Sequence, residues 1–258
     1  MGLSGQTALV TGASRGLGKA IARRLAREGA AVCINYVSRR GDAEHVVQEI
    51  RSAGGRASSV RADIGDPAQV QEMMTHVAGE LGPLSILVNN AGVVIRGTLE
   101  TFEPADLERM RRTNVDGLIH VTRAAIAGMQ ERGYGRIVNI TSIAGHGTTL
   151  PGSTFYAATK AAVSTLTRRF AMELGPHGIT VNAVAPGFIL TDMVKEGRTE
   201  QEYRELLKSI SERSMVGRVG DPEDIAHAVA FLVAPESGFI TAQVVTVDGG
   251  RMDYIGHP

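Results

Sequence analysis

Residues 7 to 18 read T-A-L-V-T-G-A-S-R-G-L-G, and this stretch decides the fold. The apolar run 7–11 predicts a buried strand, and a helix with apolar residues on one face follows over 16–28. Gly12, Gly16 and Gly18 allow a tight turn between them, and the free N–H groups at a helix N-terminus suit a pyrophosphate. The motif predicts a dinucleotide site. An ordinary strand–helix turn is the plain alternative in a chain with 31 glycines.

Strand and helix alternate to the end of the chain. Apolar runs predict strands at 31–36, 57–61, 84–89, 136–140, 179–184 and 243–247, and helical patterns occupy 42–53, 67–79, 104–132, 154–174 and 222–233. Apolar strands joined by helices are typical of a parallel sheet. We therefore expect one doubly wound α/β domain over 1–258, a Rossmann fold of about seven strands. Its ligands would bind at the carboxyl ends of the strands, with the strand-free segment 188–216 as a substrate lid.

The composition is that of a globular protein and excludes several function classes. Hydrophobic residues make up 43% and charged residues 21%, which excludes a disordered or fibrous chain. The 27 basic and 27 acidic residues balance, so we expect no nucleic-acid partner and no membrane partner. No secretory signal or membrane-spanning run is recognisable, and a single cysteine favours a cytoplasmic setting. The seven histidines lack the spacing of a metal site, so no metal is expected.

A candidate acid–base set follows the predicted fifth strand. Ser142 follows that strand, and Tyr156 and Lys160 stand one turn apart in the next helix, on one face. An ordinary tyrosine has a pKa of about 10, and a nearby positive charge is expected to lower it. Tyr156 would then donate a proton to a carbonyl oxygen to which Ser142 also hydrogen-bonds. A surface Tyr–Lys pair is the alternative.

These residues resemble the short-chain dehydrogenase/reductase family, in its single-domain form, over nearly the whole chain. The stretch 11–18 resembles the family's cofactor loop, 89–92 its N-N-A-G motif, 186–191 its P-G-x-x-x-T motif and 247–250 its near-terminal V-D-G-G. The resemblance implies a catalytic tetrad of Asn114, Ser142, Tyr156 and Lys160. In that family the lysine also bonds the nicotinamide ribose, and the asparagine holds a water that links the lysine to solvent.

The resemblance also implies a nicotinamide cofactor site along the carboxyl edge of the sheet. Asp63 would contact adenine, and the P-G-x-x-x-T stretch would hold the nicotinamide amide. The implied cofactor-binding residues are Gly12, Ser14, Arg15, Gly16, Leu17, Gly18, Ser38, Arg39, Asp63, Ile64, Asn90, Ala91, Gly92, Tyr156, Lys160, Pro186, Gly187, Ile189 and Thr191.

The end of the predicted second strand favours NADP over NAD. An NAD site usually presents a carboxylate there for the ribose 2′-hydroxyl, whereas no acid precedes Asp42 in this stretch. Ser38, Arg39 and Arg40 stand where a 2′-phosphate would lie, and Arg15 lies in the glycine loop. A guanidinium offers phosphate two parallel donors. We predict NADP (NADPH), with NAD as the alternative.

Two segments, 186–193 and 217–224, closely resemble the 3-oxoacyl-acyl-carrier-protein reductases. The implied substrate is a 3-oxoacyl thioester, carried on acyl carrier protein or CoA, with a role in fatty acid metabolism. The chain departs from that pattern at 93–97, where V-V-I-R-G replaces an Arg-Asp pair, and the rim expected to dock a carrier has little fixed charge beyond Arg132 and Arg136. Arg96 and His146 flank the expected substrate, although solvated loop residues are the default interpretation.

Other functions and an assembly also follow from the resemblance. A sugar, polyol or small-ketone reductase is the alternative enzyme, and a non-catalytic NADP-binding sensor is the alternative of another class. The family implies a homotetramer built on two long helices. Small residues in both predicted helices fit that arrangement, although the same faces would also suit packing on the sheet: Ala124, Ala125, Ala127, Gly128, Ala157, Ala158, Ala161 and Ala162.

Overall fold

The computed structural model describes residues 2–148, 151–191 and 199–251. Its strands are β1 (Thr7–Val10), β2 (Ala31–Tyr36), β3 (Ala57–Arg61), β4 (Leu84–Asn89), β5 (Gly135–Ile140), β6 (Ile179–Pro186) and β7 (Val244–Val247). They form one parallel sheet in the order β3-β2-β1-β4-β5-β6-β7. The predicted doubly wound sheet of seven strands is confirmed.

Helices cover both faces of the sheet. They are α1 (Gly16–Arg27), α2 (Arg40–Ser52), α3 (Pro67–Leu81), α4 (Pro104–Arg111), α5 (Gly117–Glu131), α6 (Thr154–Leu174), α7 (Glu200–Glu212) and α8 (Pro222–Val233). Because successive strand residues point to opposite faces, Val10 and Ile34 pack under α1, α2 and α8, whereas Leu9 and Cys33 pack under α3, α5 and α6. Cys33 is fully buried, and burial raises the pKa of its thiol to about 11.

The helical stretch predicted over 104–132 is helical throughout 104–131 and contains a π turn. After α4 a π-helical turn spans Arg112–Asp116, and α5 begins at Gly117. Such a turn inserts an extra residue into the helical register and is frequent at functional sites. Here it leaves Asn114 only 2% exposed. The predicted helical stretch is therefore present, and what the sequence did not show is the π turn, because the apolar periodicity on either side does not reveal a local insertion.

The strand order reverses between β1 and β4, which are neighbours in the sheet although β2 and β3 lie between them in the sequence. In an open α/β sheet, the loops on either side of such a reversal separate and leave a crevice at the carboxyl ends of the strands. The glycine loop follows β1 and the N-N-A-G motif overlaps the end of β4, so both predicted motifs border this crevice.

The predicted lid over 188–216 lies only partly within the described structure, because 192–198 fall outside it. α7 begins with a capping box in which the Thr199 hydroxyl accepts from the Glu202 N–H and the Glu202 carboxylate accepts from the Thr199 N–H. Its role as a lid stays a prediction. No helix in the described ranges combines the length and apolar character that a membrane crossing requires.

Candidate active site

The glycine loop between β1 and α1 depends on positive φ angles and close backbone contacts. Gly12 has a φ of 61° and Gly16 a φ of 55°, in the region that favours glycine. A Cβ on Gly12 would lie 2.9 Å from the Cα of Ala91, and one on Gly18 would lie 2.6 Å from the carbonyl oxygen of Gly12. Larger residues at these two positions would therefore push the loop away from its neighbours.

Two amide side chains hold the loop in place. The Asn35 side chain, inside β2, accepts from the Gly12 N–H (3.2 Å) and donates to the Ala62 carbonyl (3.0 Å). Asn90 Nδ2 donates to the carbonyls of Thr11 (2.9 Å) and Gly12 (3.1 Å). Asn90 was predicted as a site residue, whereas Asn35 was missed because a single polar residue within an apolar strand belongs to no motif.

A cavity of about 410 Å³, which we call the cofactor cavity, lies between the glycine loop, the end of β2 and the N-N-A-G motif. The predicted residues on its wall are Gly12, Ser14, Arg15, Gly16, Leu17, Gly18, Ser38, Arg39, Asn90, Ala91, Gly92 and Thr191, and Tyr36, Val37, Val93 and Thr113 line it as well. Of the described residues on this wall, none is acidic and two are arginines. This charge pattern fits a dinucleotide that carries a 2′-phosphate.

The two arginines at the start of α2 are placed differently. Arg39 lines the cofactor cavity, and its guanidinium pairs with Asp42 at 3.2 Å, with both side chains about half exposed. Arg40 pairs with Glu44 at 2.6 Å and is not on the cavity wall. Arg39 is thus the α2 arginine placed to meet a 2′-phosphate, and a bound phosphate would compete with Asp42 for it.

The loop after β3 is tied to the π turn. Asp63 and Ile64, predicted to contact the cofactor, lie beyond the wall of the cofactor cavity. The Asp63 carboxylate accepts from the Gly65 N–H (2.9 Å) and from Arg112 Nη2 (2.8 Å). A Cβ on Gly117 would lie 2.7 Å from the Ile64 side chain. Arg112 was missed because its partner is 49 positions away in the sequence.

A second cavity, of about 270 Å³, contains the predicted acid–base set, and we call it the acid–base cavity. Its wall comprises Leu17, Asn90, Gly92, Val94, Ile140, Thr141, Ser142, Tyr156, Lys160, Pro186, Gly187, Phe188, Ile189 and Thr191. Four of these residues, Leu17, Asn90, Gly92 and Thr191, also line the cofactor cavity, so the two form one continuous cleft. Within the described ranges no group of three or more His, Cys, Asp or Glu side chains is arranged to hold a metal ion.

Ser142 reaches the helical tyrosine because the short 3₁₀ turn after β5 packs tightly on α6. The Ser142 Oγ accepts from the Ala144 N–H (3.1 Å), and a hydrogen bond also joins it to Tyr156. A Cβ on Gly145 would lie 2.8 Å from the backbone nitrogen of Ala161. A side chain at Gly145 would therefore force the turn, and Ser142 with it, away from α6.

Burial controls the two titratable groups of the set. Burial raises the pKa of Tyr156 above its ordinary value, although the hydrogen bond from Ser142 acts in the other direction. Lys160 is 4% exposed, and desolvation lowers the pKa of its ammonium to about 8. Its Nζ donates to the Ile140 carbonyl (2.8 Å) and lies 5.8 Å from the centre of the Tyr156 ring. The Tyr156 pKa was expected to be lowered by Lys160; in this structure it is raised, because desolvation outweighs the hydrogen bond with Ser142.

The π turn places Asn114 close to Gly92 and Lys160, two residues on the wall of the acid–base cavity. Its Oδ1 accepts from the Val93 N–H (2.8 Å), and its Nδ2 donates to the Val93 carbonyl (2.9 Å) and to the Thr159 hydroxyl (3.1 Å). A Cβ on Gly92 would lie 3.3 Å from the Asn114 Oδ1 and 3.4 Å from the Lys160 Nζ, so glycine leaves room for both. The side-chain amide thus braces the loop after N-N-A-G, and its predicted water-holding role stays a prediction.

The end of β6 forms the remaining wall of the acid–base cavity. Pro186, Gly187, Ile189 and Thr191, the predicted nicotinamide residues, all line it. A Cβ on Gly187 would lie 2.6 Å from the Cα of Asp248, so glycine allows the chain after β6 to pass close to the end of β7. The structure therefore assembles the residues of four separate motifs around one cleft.

The chain is similar to known proteins over nearly its full length. The family model described as enoyl-(acyl carrier protein) reductase matches residues 12–251. A 3-oxoacyl-acyl-carrier-protein reductase, FabG, of Staphylococcus aureus is 39% identical over 95% of this chain and 97% of its own. The BbsD subunit of a hydroxy(phenyl)methylsuccinyl-CoA dehydrogenase from Thauera aromatica is 42% identical over 99% of this chain and 100% of its own.

Solved structures agree with these relatives. A short-chain dehydrogenase/reductase from Serratia marcescens matches with a TM-score of 0.89 at 38% identity, covering 97% of this chain and 99% of that chain. A short-chain dehydrogenase from Burkholderia cenocepacia, solved in complex with NADP, matches with a TM-score of 0.86 at 38% identity, covering 96% and 98%. With the sheet, the glycine loop and the buried Ser–Tyr–Lys set in place, the chain belongs to the short-chain dehydrogenase/reductase family and is an oxidoreductase.

Proposed function

We propose that this oxidoreductase uses NADPH to reduce a 3-oxoacyl thioester to the 3-hydroxyacyl thioester. The observation that carries the proposal is the wall of the acid–base cavity. Apart from the predicted catalytic and cofactor residues, its described wall consists of Val94, Ile140, Thr141 and Phe188. The one hydroxyl among these, on Thr141, is already bonded to the Lys160 carbonyl (2.8 Å).

Such a wall suits an acyl chain better than a sugar. The hydroxyls of a sugar or polyol lose water when they are buried and need partners in return, whereas an acyl chain needs only apolar contact beside its reacting carbonyl. Two of the relatives, a 3-oxoacyl-acyl-carrier-protein reductase and a subunit of a hydroxy(phenyl)methylsuccinyl-CoA dehydrogenase, bear names that agree with thioester chemistry.

The cofactor is NADP. Gly12, Gly16 and Gly18 would receive the pyrophosphate, Ser38, Arg39 and Arg15 the 2′-phosphate, and Asp63 with Ile64 the adenine. Asn90, Ala91, Gly92, Lys160 and the residues at the end of β6 would hold the nicotinamide half. NADPH, when bound, supplies the hydride that is added to the carbonyl carbon.

Tyr156 supplies the proton in this proposal. Its raised pKa keeps the phenol protonated at neutral pH, which is the form that donates to the carbonyl oxygen during reduction. The Ser142 hydroxyl, already bonded to Tyr156, would donate to the same oxygen and stabilise the negative charge that develops there. One hydride on carbon and one proton on oxygen complete the secondary alcohol.

Lys160 and Asn114 serve this proton transfer. The buried ammonium of Lys160 would stabilise the phenolate that remains on Tyr156, and with a pKa of about 8 it is also able to return a proton. Asn114 fixes the loop after N-N-A-G through Val93 and touches α6 at Thr159, next to Lys160. It therefore fixes the position of the loop after N-N-A-G relative to α6.

The carrier of the thioester stays open between CoA and acyl carrier protein. The two arginines near the expected docking rim are engaged within the protein: Arg132 donates to the Leu84 carbonyl, and Arg136 is 6% exposed and stacks on Tyr134. Arg136 is therefore withdrawn from an acidic partner, whereas Arg132 is exposed and keeps its charge, so the rim offers acyl carrier protein one exposed cation at this place.

A substrate panel tests the proposal. NADPH oxidation is followed with 3-oxoacyl-CoA, 3-oxoacyl-acyl-carrier-protein, simple ketones and keto sugars, and we expect the highest kcat/KM with a thioester. A highest value with a sugar or simple ketone would reject the thioester and favour the alternative enzyme. Binding of NADPH without turnover of any carbonyl would favour the non-catalytic sensor.

A tyrosine pair tests the assignment of the acid. Tyr156→Phe should retain NADPH binding and lose turnover by roughly 10²-fold or more. Tyr134→Phe is the matched control, because that hydroxyl bonds only to Gln6 among the described residues, away from the cleft. Equal activity of the two variants would remove Tyr156 from the mechanism.

Assembly and location also belong to the proposal. We expect a homotetramer in the cytoplasm. Of the small residues proposed for the contact, Ala125 packs into the core, while Ala127 and Ala158 are exposed on α5 and α6 and available to a second copy. Light scattering at micromolar concentration checks the assembly, and a monomer would contradict it.

A further inference from the structure

The loop after the N-N-A-G motif presents alternate residues to the acid–base cavity. Asn114 holds both backbone groups of Val93, because its Oδ1 accepts from the Val93 N–H and its Nδ2 donates to the Val93 carbonyl. Gly92 and Val94, on either side of it, line the cavity. Burial alternates strictly from 91 to 98, so that Val94 and Arg96 belong to the exposed face and Val93 and Ile95 to the covered face. The segment is thus extended, with side chains on alternating sides.

This alternation places Arg96 on the same face of the segment as Gly92 and Val94, two residues beyond Val94. Two residues of extended chain advance about 7 Å, so Arg96 stands at the mouth of the cavity. The loop is pinned there, because the Gly97 N–H donates to the Gly152 carbonyl (3.0 Å) and Gly97 forms a β-bridge with Ser153. The Cβ of Arg96 is 3.6 Å from where a Cβ on Gly152 would lie.

Arg96 forms no ion pair with any of the residues that the structure describes, which are 2–148, 151–191 and 199–251, and it is exposed. Arg39, Arg111, Arg112 and Arg218, by contrast, each pair with a carboxylate. A guanidinium without an ion-pair partner among the described residues, close to the apolar Val94, offers a substrate one charged contact.

We propose that Arg96 is a specificity-determining residue that binds a carboxylate on the acyl part of the substrate, beyond the reacting carbonyl. The inference rests on the proposed function and adds to it the substrate class, a 3-oxoacyl thioester with an acidic acyl chain. The phosphates of CoA or of a pantetheine arm offer the same chemistry, and the test below distinguishes the two sources. A guanidinium binds a carboxylate through two parallel donors.

Paired substrates test this inference. NADPH oxidation is measured with the N-acetylcysteamine thioesters of 3-oxohexanoate and of 3-oxoadipate, which differ by one terminal carboxylate and carry no phosphate. Wild type should prefer the acidic thioester, and Arg96→Met should lower its kcat/KM about three- to tenfold while leaving the neutral one unchanged, since the contact is charged but exposed. Arg96→Lys should restore part of the preference.

Arg109→Met is the matched control, because Arg109 is exposed on α4 and its loss changes the net charge equally. Equal losses in the two Met variants, an equal loss on both substrates, or no preference in wild type would each overturn the inference. If Arg96→Met impairs only CoA thioesters, the contact is to phosphate and the carboxylate assignment is wrong.

The outcome stays separate from that of the proposed function. If no thioester is reduced, the thioester proposal fails. The carboxylate contact is then tested with 4-oxopentanoate and its methyl ester, compared as substrates. If neither is turned over, their binding is compared by calorimetry. A preference for the acid that Arg96→Met abolishes still supports the carboxylate contact, and its absence overturns it.

Discussion

Replacing Lys160 by methionine should change how the stability of the protein depends on pH. Desolvation lowers the pKa of this ammonium from 10.5 to about 8, so the folded protein binds the proton less tightly than the unfolded chain does. The unfolded state therefore carries more protons between these two values, and stability contributed by this group rises with pH across that window. Below pH 8 the charged form destabilises the fold by about 3 kcal/mol.

The magnitude follows from those two pKa values. From pH 8 to pH 10 the free energy of unfolding of wild type should rise by about 2 kcal/mol relative to Lys160→Met, which corresponds to roughly 4–8 °C in Tm. The methionine variant also leaves the Ile140 carbonyl without its donor, but that loss does not vary with pH. Cys33 has a raised pKa and is present in both proteins, so its contribution cancels in the difference. Tyr156 lies close to Lys160, so the comparison is repeated with Tyr156→Phe in both proteins to remove its contribution.

The assay is urea unfolding of both proteins without cofactor, at fixed protein concentration, in steps from pH 7 to pH 10. Lys208→Met is the control, since that side chain is 80% exposed on α7 and its variant should run parallel to wild type. Parallel curves for Lys160→Met and wild type would show that the buried ammonium is not desolvated, and the argument for its lowered pKa would fail.

Three further outcomes follow from the cleft. Gly12→Ala should abolish NADPH binding, measured by fluorescence, whereas Gly133→Ala, at the same φ of 61° but with open space around it, should cost only backbone strain. Arg112→Met should raise the Kd for NADPH by up to about fivefold and leave the Kd for reduced nicotinamide mononucleotide, which lacks adenine, unchanged. An equal change for both ligands would contradict a role at the adenine loop. Asp42→Asn should release Arg39 and tighten NADPH selectively over NADH, and unaltered selectivity would place the 2′-phosphate elsewhere.

Local motifs made most of the fold and cleft predictable from the sequence. The apolar strands are buried on both faces and so form near-continuous runs, and the glycines at 12, 16 and 18 stand at fixed spacing. The seven-stranded parallel sheet is confirmed on that basis. The members of the Ser–Tyr–Lys set all lie on the wall of one cavity, although their roles stay predictions.

The features that the sequence did not reveal are contacts between residues far apart in the chain and pKa shifts caused by burial. The contact between Arg112 and Asp63 joins two elements that no motif connects, and the π turn at Asn114 interrupts a helix whose apolar pattern continues on both sides. The direction of the Tyr156 pKa depends on how completely the protein removes water from the phenol. A spacing of four residues to Lys160 indicates a neighbour and says nothing about burial.

The state of Cys33 makes the protein a convenient host for spectroscopic probes. With a thiol pKa of about 11 and no exposed surface, only about one molecule in 10⁴ carries the thiolate at pH 7, and reagents cannot reach it. A maleimide dye would therefore react with an added surface cysteine and not with the native one. A donor on α7 and an acceptor on α2 would then report, by energy transfer and without any background substitution, whether the segment predicted as a lid moves when NADPH binds.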